Sequence, residues 1–320
     1  MFTPAWWLRN PHLQTLWASK VRDAPNPPPA ELAEELTLPD GDFIELAWTA
    51  DLGGPIAIVL HGLEGSAKSP YAAGLCQSLT NIGWTAVVVH MRGCGERYNR
   101  LDRSYFAGDS GDINFAFDTV KQRYPDRRIA VIGYSLGGNI ILKWLGELGA
   151  EAGADCAIAI SVPFDLSGSA NALNRGFSRV YQRYLVGQMV DKVRGKFAGR
   201  TPPVRLDHLS HTMTFWDFDN DVTAPLHGFT DVHDYYKKCS SRQFLASIRI
   251  PTLLLQAADD PFLEPSGVPA IRELNASTRL ELSARGGHVG FLASNPDSLL
   301  GCGLTPWLET RIPTFLRTGD

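Results

Sequence analysis

Ser135 sits in Gly133-Tyr134-Ser135-Leu136-Gly137, after an apolar run over residues 128–132 and before a helical pattern over 136–149. A serine raised on a sharp strand-to-helix turn, with small neighbours on either side, presents its Oγ clear of the sheet, as a nucleophile requires. A serine hydroxyl is weak at its own pKa. It needs a base, and the base needs an acid to orient it. Of the eight histidines, at 12, 61, 90, 208, 211, 227, 233 and 288, only His288 follows the last strand pattern, in Gly286-Gly287-His288-Val289-Gly290. Glycines there let a loop carry an imidazole over a sheet edge. The acid is expected where the apolar run 252–256 ends, at Asp259-Asp260-Pro261-Phe262. Asp260 is preferred over Asp259, because of its offset from the strand and the extended geometry that Pro261 imposes on it. Asp165, after the run 158–162, is held in reserve. An oxyanion needs two fixed N–H donors. The amide of Leu136 is one candidate, and that of Leu63, in His61-Gly62-Leu63-Glu64-Gly65, is the other. His61 is then a residue that shapes this loop rather than the base.

The elements that must position these groups follow a regular rhythm. A hairpin is predicted from Glu35 to Trp48 around Pro39-Asp40-Gly41-Asp42. Continuous apolar strands follow at 55–60, 85–89, 128–132, 156–160 and 251–256, and the strand rhythm is seen again at 278–282, most of these strands being separated by helical patterns such as 70–82, 111–124 and 136–149. Strands that are apolar throughout, rather than alternating, imply a parallel sheet covered by helices on both faces. The rhythm breaks over residues 165–248, which read as a largely helical cap insertion above the C-terminal edge of the sheet. Phe177, Tyr181, Tyr184, Phe215 and Trp216 would line a pocket there or fill the core of the cap. Lys192, Arg194, Lys196 and Arg200 read as a solvated helix face. Residues 1–34 read as short amphipathic turns and the connector Pro25-Asn26-Pro27-Pro28-Pro29, with the tryptophans and His12 taken as packing.

Composition excludes several classes. A net charge of −4 gives no footprint for nucleic acid. The five cysteines are scattered singly, without metal-ligand spacing, as in a reduced cytoplasmic protein. No apolar run is long enough for an integral membrane segment. Asp217-Phe218-Asp219-Asn220-Asp221 alternates carboxylates but lacks the glycine and glutamate of a calcium loop, and no other motif calls for a metal or cofactor.

The elbow, the oxyanion loop, the late acid and the final histidine together resemble the α/β-hydrolase fold superfamily. Asn10-Pro11-His12-Leu13-Gln14-Thr15-Leu16-Trp17, His61-Gly62-Leu63-Glu64-Gly65, Met91-Arg92-Gly93-Cys94 and Gly287-His288-Val289-Gly290-Phe291 are similar to the YheT-like subfamily of bacterial hydrolases. The resemblance implies an α/β-hydrolase core, here 35–164 and 249–320, interrupted by the insertion 165–248. It also implies a serine carboxylesterase acting on small-molecule esters, with no cofactor and no metal, and a triad falling on Ser135, Asp260 and His288. A bacterial cytosolic enzyme is expected. With neutral imidazole as base, activity should fall below about pH 6.5.

Overall fold

The computed structural model describes residues 2–22, 32–295 and 303–319. Pro25 to Pro29 and Cys302 lie outside the described residues, and the other four cysteines are free. Eight strands form one sheet: β1 (Leu32–Thr37), β2 (Phe43–Trp48), β3 (Ile56–Leu60), β4 (Thr85–His90), β5 (Ile129–Tyr134), β6 (Cys156–Ile160), β7 (Thr252–Ala257) and β8 (Thr278–Ser283), in the order β1-β2-β4-β3-β5-β6-β7-β8. From β4 to β8 every pairing is parallel, while β2 runs against both β1 and β4. The sheet is therefore the mostly parallel one that the apolar runs imply.

Its central strands, β3 to β7, are almost wholly apolar because both faces are covered, whereas the outer strands β1, β2 and β8 carry charged residues. In β3, Ile58 and Leu60 enter a core with Trp144, Ile141 and Phe117, whereas Ala57 and Val59 enter the opposite core with Leu79 and Phe315. The covering helices are α2 (Pro70–Asn81), α3 (Ser110–Arg123), α4 (Leu136–Leu148) and the C-terminal helix described below. Each aliphatic side chain buried this way contributes roughly 1.5–3 kcal/mol. The sheet thus provides a stiff platform whose strand ends can hold reacting groups still.

A short helix, α1 (Pro11–Leu16), precedes the sheet, and Asn10 starts it by accepting the amides of His12 and Leu13 ahead of Pro11. Between β6 and β7 the chain forms only helices: α5 (Leu166–Leu173), α6 (Ser178–Lys196), α7 (Phe215–Phe218), α8 (Ala224–Leu226) and α9 (Val232–Cys239). They enclose an apolar cluster of their own that includes Leu173, Val186, Val190, Phe218 and Tyr236. A small hairpin of β9 (Leu292–Ser294) and β10 (Leu304–Pro306) leads into α10 (Leu308–Thr318).

The basic cluster in α6 departs from the expectation of a solvated face. Arg194 and Arg200 are exposed, but Lys196 is buried and donates to Asn99 and to the Arg103 carbonyl, and Lys192 turns inward onto Glu64 at 2.8 Å. Helical spacing does not reveal this, because the partners lie about a hundred residues upstream.

Candidate active site

Ser135 is the residue at which β5 becomes α4. Its backbone has φ 51° and ψ −117°, a conformation that non-glycine residues adopt only when the surroundings hold them there. Gly137 explains the tight turn: a Cβ there would lie 2.4 Å from the carbonyl oxygen of His61 and 2.5 Å from that of Leu60. The elbow is thus seated directly on the end of β3.

Ser135 Oγ lies 2.9 Å from His288 Nε2, and His288 Nδ1 lies 2.9 Å and 3.1 Å from the two carboxylate oxygens of Asp260. With its proton on Nδ1 facing the carboxylate, the imidazole keeps Nε2 as an acceptor for the serine hydroxyl. Asp260 is buried and further held by Gln256 Nε2 at 3.1 Å and by the Phe262 amide at 2.9 Å. The Phe262 ring stacks on the imidazole at a centroid distance of 3.9 Å, which fixes the plane of the ring.

Asp259 takes a different position. Its Oδ1 accepts the amide of Gly287 at 3.0 Å, so it supports the loop rather than the imidazole, and burial raises its pKa. Asp165 is the N-cap of α5, accepting the Ser167 amide. The structure therefore brings Asp260, and neither alternative, into contact with His288.

The N-terminal motif, read from sequence as packing, clamps the histidine loop. Thr15 Oγ1 accepts the amide of His288 at 2.9 Å, and Gln14 bonds both the amide and the carbonyl of Leu292. A Cβ at Gly287 would lie 2.4 Å from the Pro11 carbonyl oxygen, and this residue has φ 61°, so glycine is needed both for space and for conformation. Ser161 completes the clamp by accepting the amide of Val289 at 2.9 Å.

The loop after β3 is equally well anchored. His61 is buried, its Nδ1 on the Gly62 carbonyl and its Nε2 accepting the Met91 amide, and burial lowers its pKa to about 3, so it is neutral and structural. The Gly62 amide donates to Tyr71, the Glu64 amide to Tyr105 and the Gly65 amide to the Gly62 carbonyl. The Leu63 and Leu136 amides have no acceptor among the described residues.

Glu64 and Lys192 form part of this site that sequence reasoning missed. Glu64, at φ 52°, accepts from Tyr105 Oη at 2.6 Å and pairs with Lys192, whose Nζ also lies 3.0 Å from Cys94 Sγ. Burial acts to lower the Lys192 pKa, but the facing Cys94 and Glu64 outweigh it and the pKa is raised. Burial pushes the Cys94 thiol up to about 12. The pair ties the loop carrying Leu63 to α6. The sequence signal was a glutamate next to an oxyanion candidate, with no indication of its partner.

Ser135 stands between two spaces. One is a cavity of about 120 Å³ beneath the helical segment, lined by Leu136, Leu166, Leu173, Phe215, Phe218 and Val222. The other is a groove of about 400 Å³ between the α1 region and α6, bordered by Leu16, Lys20, Tyr181, Tyr184 and Val289. Of the aromatics singled out in the sequence, Phe215, Tyr181 and Tyr184 line these spaces. Phe177 and Tyr184 are about half exposed, and Trp216 packs on His233 and Tyr236. Asp219 is buried and accepts from Thr223 and Tyr236, and burial raises its pKa to about 6. Among the described residues no group of three or more His, Cys, Asp or Glu side chains could hold a metal ion, and no helix is long and apolar enough to cross a membrane.

The chain is similar to known proteins in sequence and in fold. A family profile described as serine aminopeptidase S33, Hydrolase_4, matches residues 55–288, a span that runs from β3 to the histidine loop. The chain belongs to that family. Within Hydrolase_4 it is 37% identical to YheT of Escherichia coli (strain K12), provisionally described as an esterase, over 99% of this chain and 93% of that one. It is 32% identical to a monoacylglycerol lipase of Saccharomyces cerevisiae, over 76% of this chain but only 56% of that one. In three dimensions it is similar to the Pyrococcus furiosus esterase Pf2001, with a TM-score of 0.58 at 18% identity, covering 94% and 96% of the two chains. An esterase of Exiguobacterium antarcticum gives a TM-score of 0.56 at 17% identity. The α/β-hydrolase fold and the YheT-like kinship thus hold for this Hydrolase_4 member, which is a serine hydrolase.

Proposed function

We propose that the chain is a carboxylesterase working by two-step acyl transfer on Ser135. The observation that carries this reading is the unbroken contact series from Asp260 through His288 to Ser135, at 2.9 Å in each step. His288 takes the Ser135 proton as Oγ attacks the ester carbonyl, and Asp260 holds the imidazole tautomer. The Leu63 and Leu136 amides donate to the oxyanion. His288 then protonates the departing alcohol. Water, activated by the same imidazole, releases the acid and restores the serine.

Names of relatives that contain esterase and lipase support an ester as substrate over a peptide. The cavity points the same way: at about 120 Å³ it far exceeds the roughly 10–15 Å³ that one water needs, and its wall is aliphatic and aromatic, suited to an acyl chain. Residues 165–248 act as the cap over it. Thioester and C–C bond cleavage would use the same groups and form the second reading. The four free cysteines agree with a cytoplasmic site of action. A p-nitrophenyl ester chain-length series, run beside acyl-CoA thioesters and aminoacyl p-nitroanilides, tests the proposal. Turnover of esters above the other two classes is expected. Absence of turnover with every ester contradicts it.

A further inference from the structure

The large apolar side chains that remain exposed are not spread evenly. Leu13, Val21, Phe177, Val180 and Tyr184 are each between 48% and 56% exposed, and all belong to the α1 region or to the first half of α6 and the residue that precedes it. These two segments run side by side along the groove that opens onto Ser135: the His12 ring lies 4.7 Å from that of Phe177, and Lys20 Nζ reaches Tyr184 Oη at 2.6 Å. Elsewhere exposed apolar residues such as Leu52, Leu101 and Ile271 occur on separate elements, as on most surfaces.

Charge follows the same boundary. The chain as a whole is acidic, at −4, yet residues 2–22 and 174–190 contain no aspartate or glutamate. They carry Arg9, Lys20, Arg22, Arg175, Arg179 and Arg183. Arg22 pairs with Glu309 and Arg175 with Glu264. Arg9, Lys20, Arg179 and Arg183 are exposed and form no ion pair among the described residues, and Arg285, bonded to the Arg9 carbonyl, adds a further exposed cation. An apolar rim fringed by cations suits an interface where apolar chains lie beneath anionic headgroups.

We propose that this rim docks the enzyme on an anionic lipid surface, with the groove facing the lipid and Ser135 at its inner end. The inference deepens the ester-hydrolase reading, on which it rests for what the surface would deliver: an ester bearing an apolar acyl chain, passed from the lipid layer into the groove. Docking of this kind needs no membrane-spanning helix. The half-exposed side chains supply the apolar contact, and the cations supply attraction that salt weakens.

Flotation of the full chain with phosphatidylcholine vesicles, with and without phosphatidylglycerol, tests the proposal. The Ser135→Ala protein is floated alongside, so the result does not depend on turnover. Binding to the phosphatidylglycerol vesicles is expected, falling with added salt and dropping at least about tenfold in Arg179→Glu/Arg183→Glu, where two attractions become repulsions. Leu13→Ser/Phe177→Ser should also release the protein. Both double variants should hydrolyse a water-soluble short-chain ester within about twofold of the parent, since surface substitutions rarely disturb a fold. No flotation on anionic vesicles, equal flotation on both vesicle types, or indifference to the four substitutions overturns the proposal. Loss of short-ester turnover in the unaltered chain would instead count against the ester-hydrolase reading.

Discussion

The sheet and the helical segment between β6 and β7 both contribute to the space around Ser135, but they are held together differently. In the sheet, position comes from the backbone: β3 and β5 end side by side, β7 ends one strand further along beyond β6, and the loops that leave them are anchored by amides and carbonyls. In the helical segment, an apolar cluster is supplemented by polar side-chain pairs, Lys192 on Glu64, Lys196 on Asn99 and Asp219 on Tyr236. A site built on strand ends tolerates little change in geometry and supports one kind of chemistry. A wall built from side-chain pairs can change its lining while the elbow stays in place, so the proposed function assigns reaction type and substrate choice to separate parts of the chain.

The largest effect expected from breaking the sheet side is at its reacting groups. Ser135→Ala should lower kcat by about 10⁴–10⁶-fold and Asp260→Asn by about 10⁴-fold, with both proteins folded, as steady-state kinetics beside circular dichroism would read. Asp259→Asn should cost far less, since Asp259 touches only the loop backbone. If Asp259→Asn is the more damaging of the two, the assignment of the acid is reversed. Next comes Gly137→Ala. Its methyl meets the His61 and Leu60 carbonyl oxygens, backbone atoms that cannot move aside, and the cost of several kcal/mol should show as insoluble protein or a steep fall in Tm.

On the helical side, Lys192→Met should lower kcat by about 10–100-fold with KM little changed, because the loop carrying Leu63 loses its tie to α6. Pairing it with Glu64→Gln should cost less than the two single changes added together, since no buried charge is left alone. Additive losses would remove the link between the two regions. The smallest effect belongs to Asp219. Its carboxyl ionises near 3.8 when exposed but at about 6 in the fold, so the folded state holds the proton more tightly. The group costs no stability at acid pH; the cost grows as pH rises from about 4 to 6 and is complete above that. Asp219→Asn should therefore raise Tm at about pH 8, and the advantage should vanish near pH 4.

The same contrast explains what could be read from sequence. Strands such as 56–60 and 129–134 announce themselves because burial on both faces demands continuous apolar residues, and the elbow serine is marked by the glycines around it. Asp260 and His288 were proposed from their order after Ser135 and their offsets from strands, and the fold brings these three side chains into contact. The role of Gln14 and Thr15 was not, since nothing local links residue 15 to residue 288, and only the fold brings the Thr15 hydroxyl to that amide. Lys192 was misread for the same reason. An inward-facing lysine and an exposed one share helical spacing, and the partner that makes the inward position tolerable is Glu64, 128 positions earlier.

Labelling by a fluorophosphonate, followed by peptide mass spectrometry, tests the assignment of Ser135 most directly. Covalent addition at a single peptide containing Ser135, lost in Ser135→Ala and strongly slowed in His288→Ala, is the expected result. A folded protein that resists the reagent, or one labelled equally well after Ser135→Ala, would contradict it.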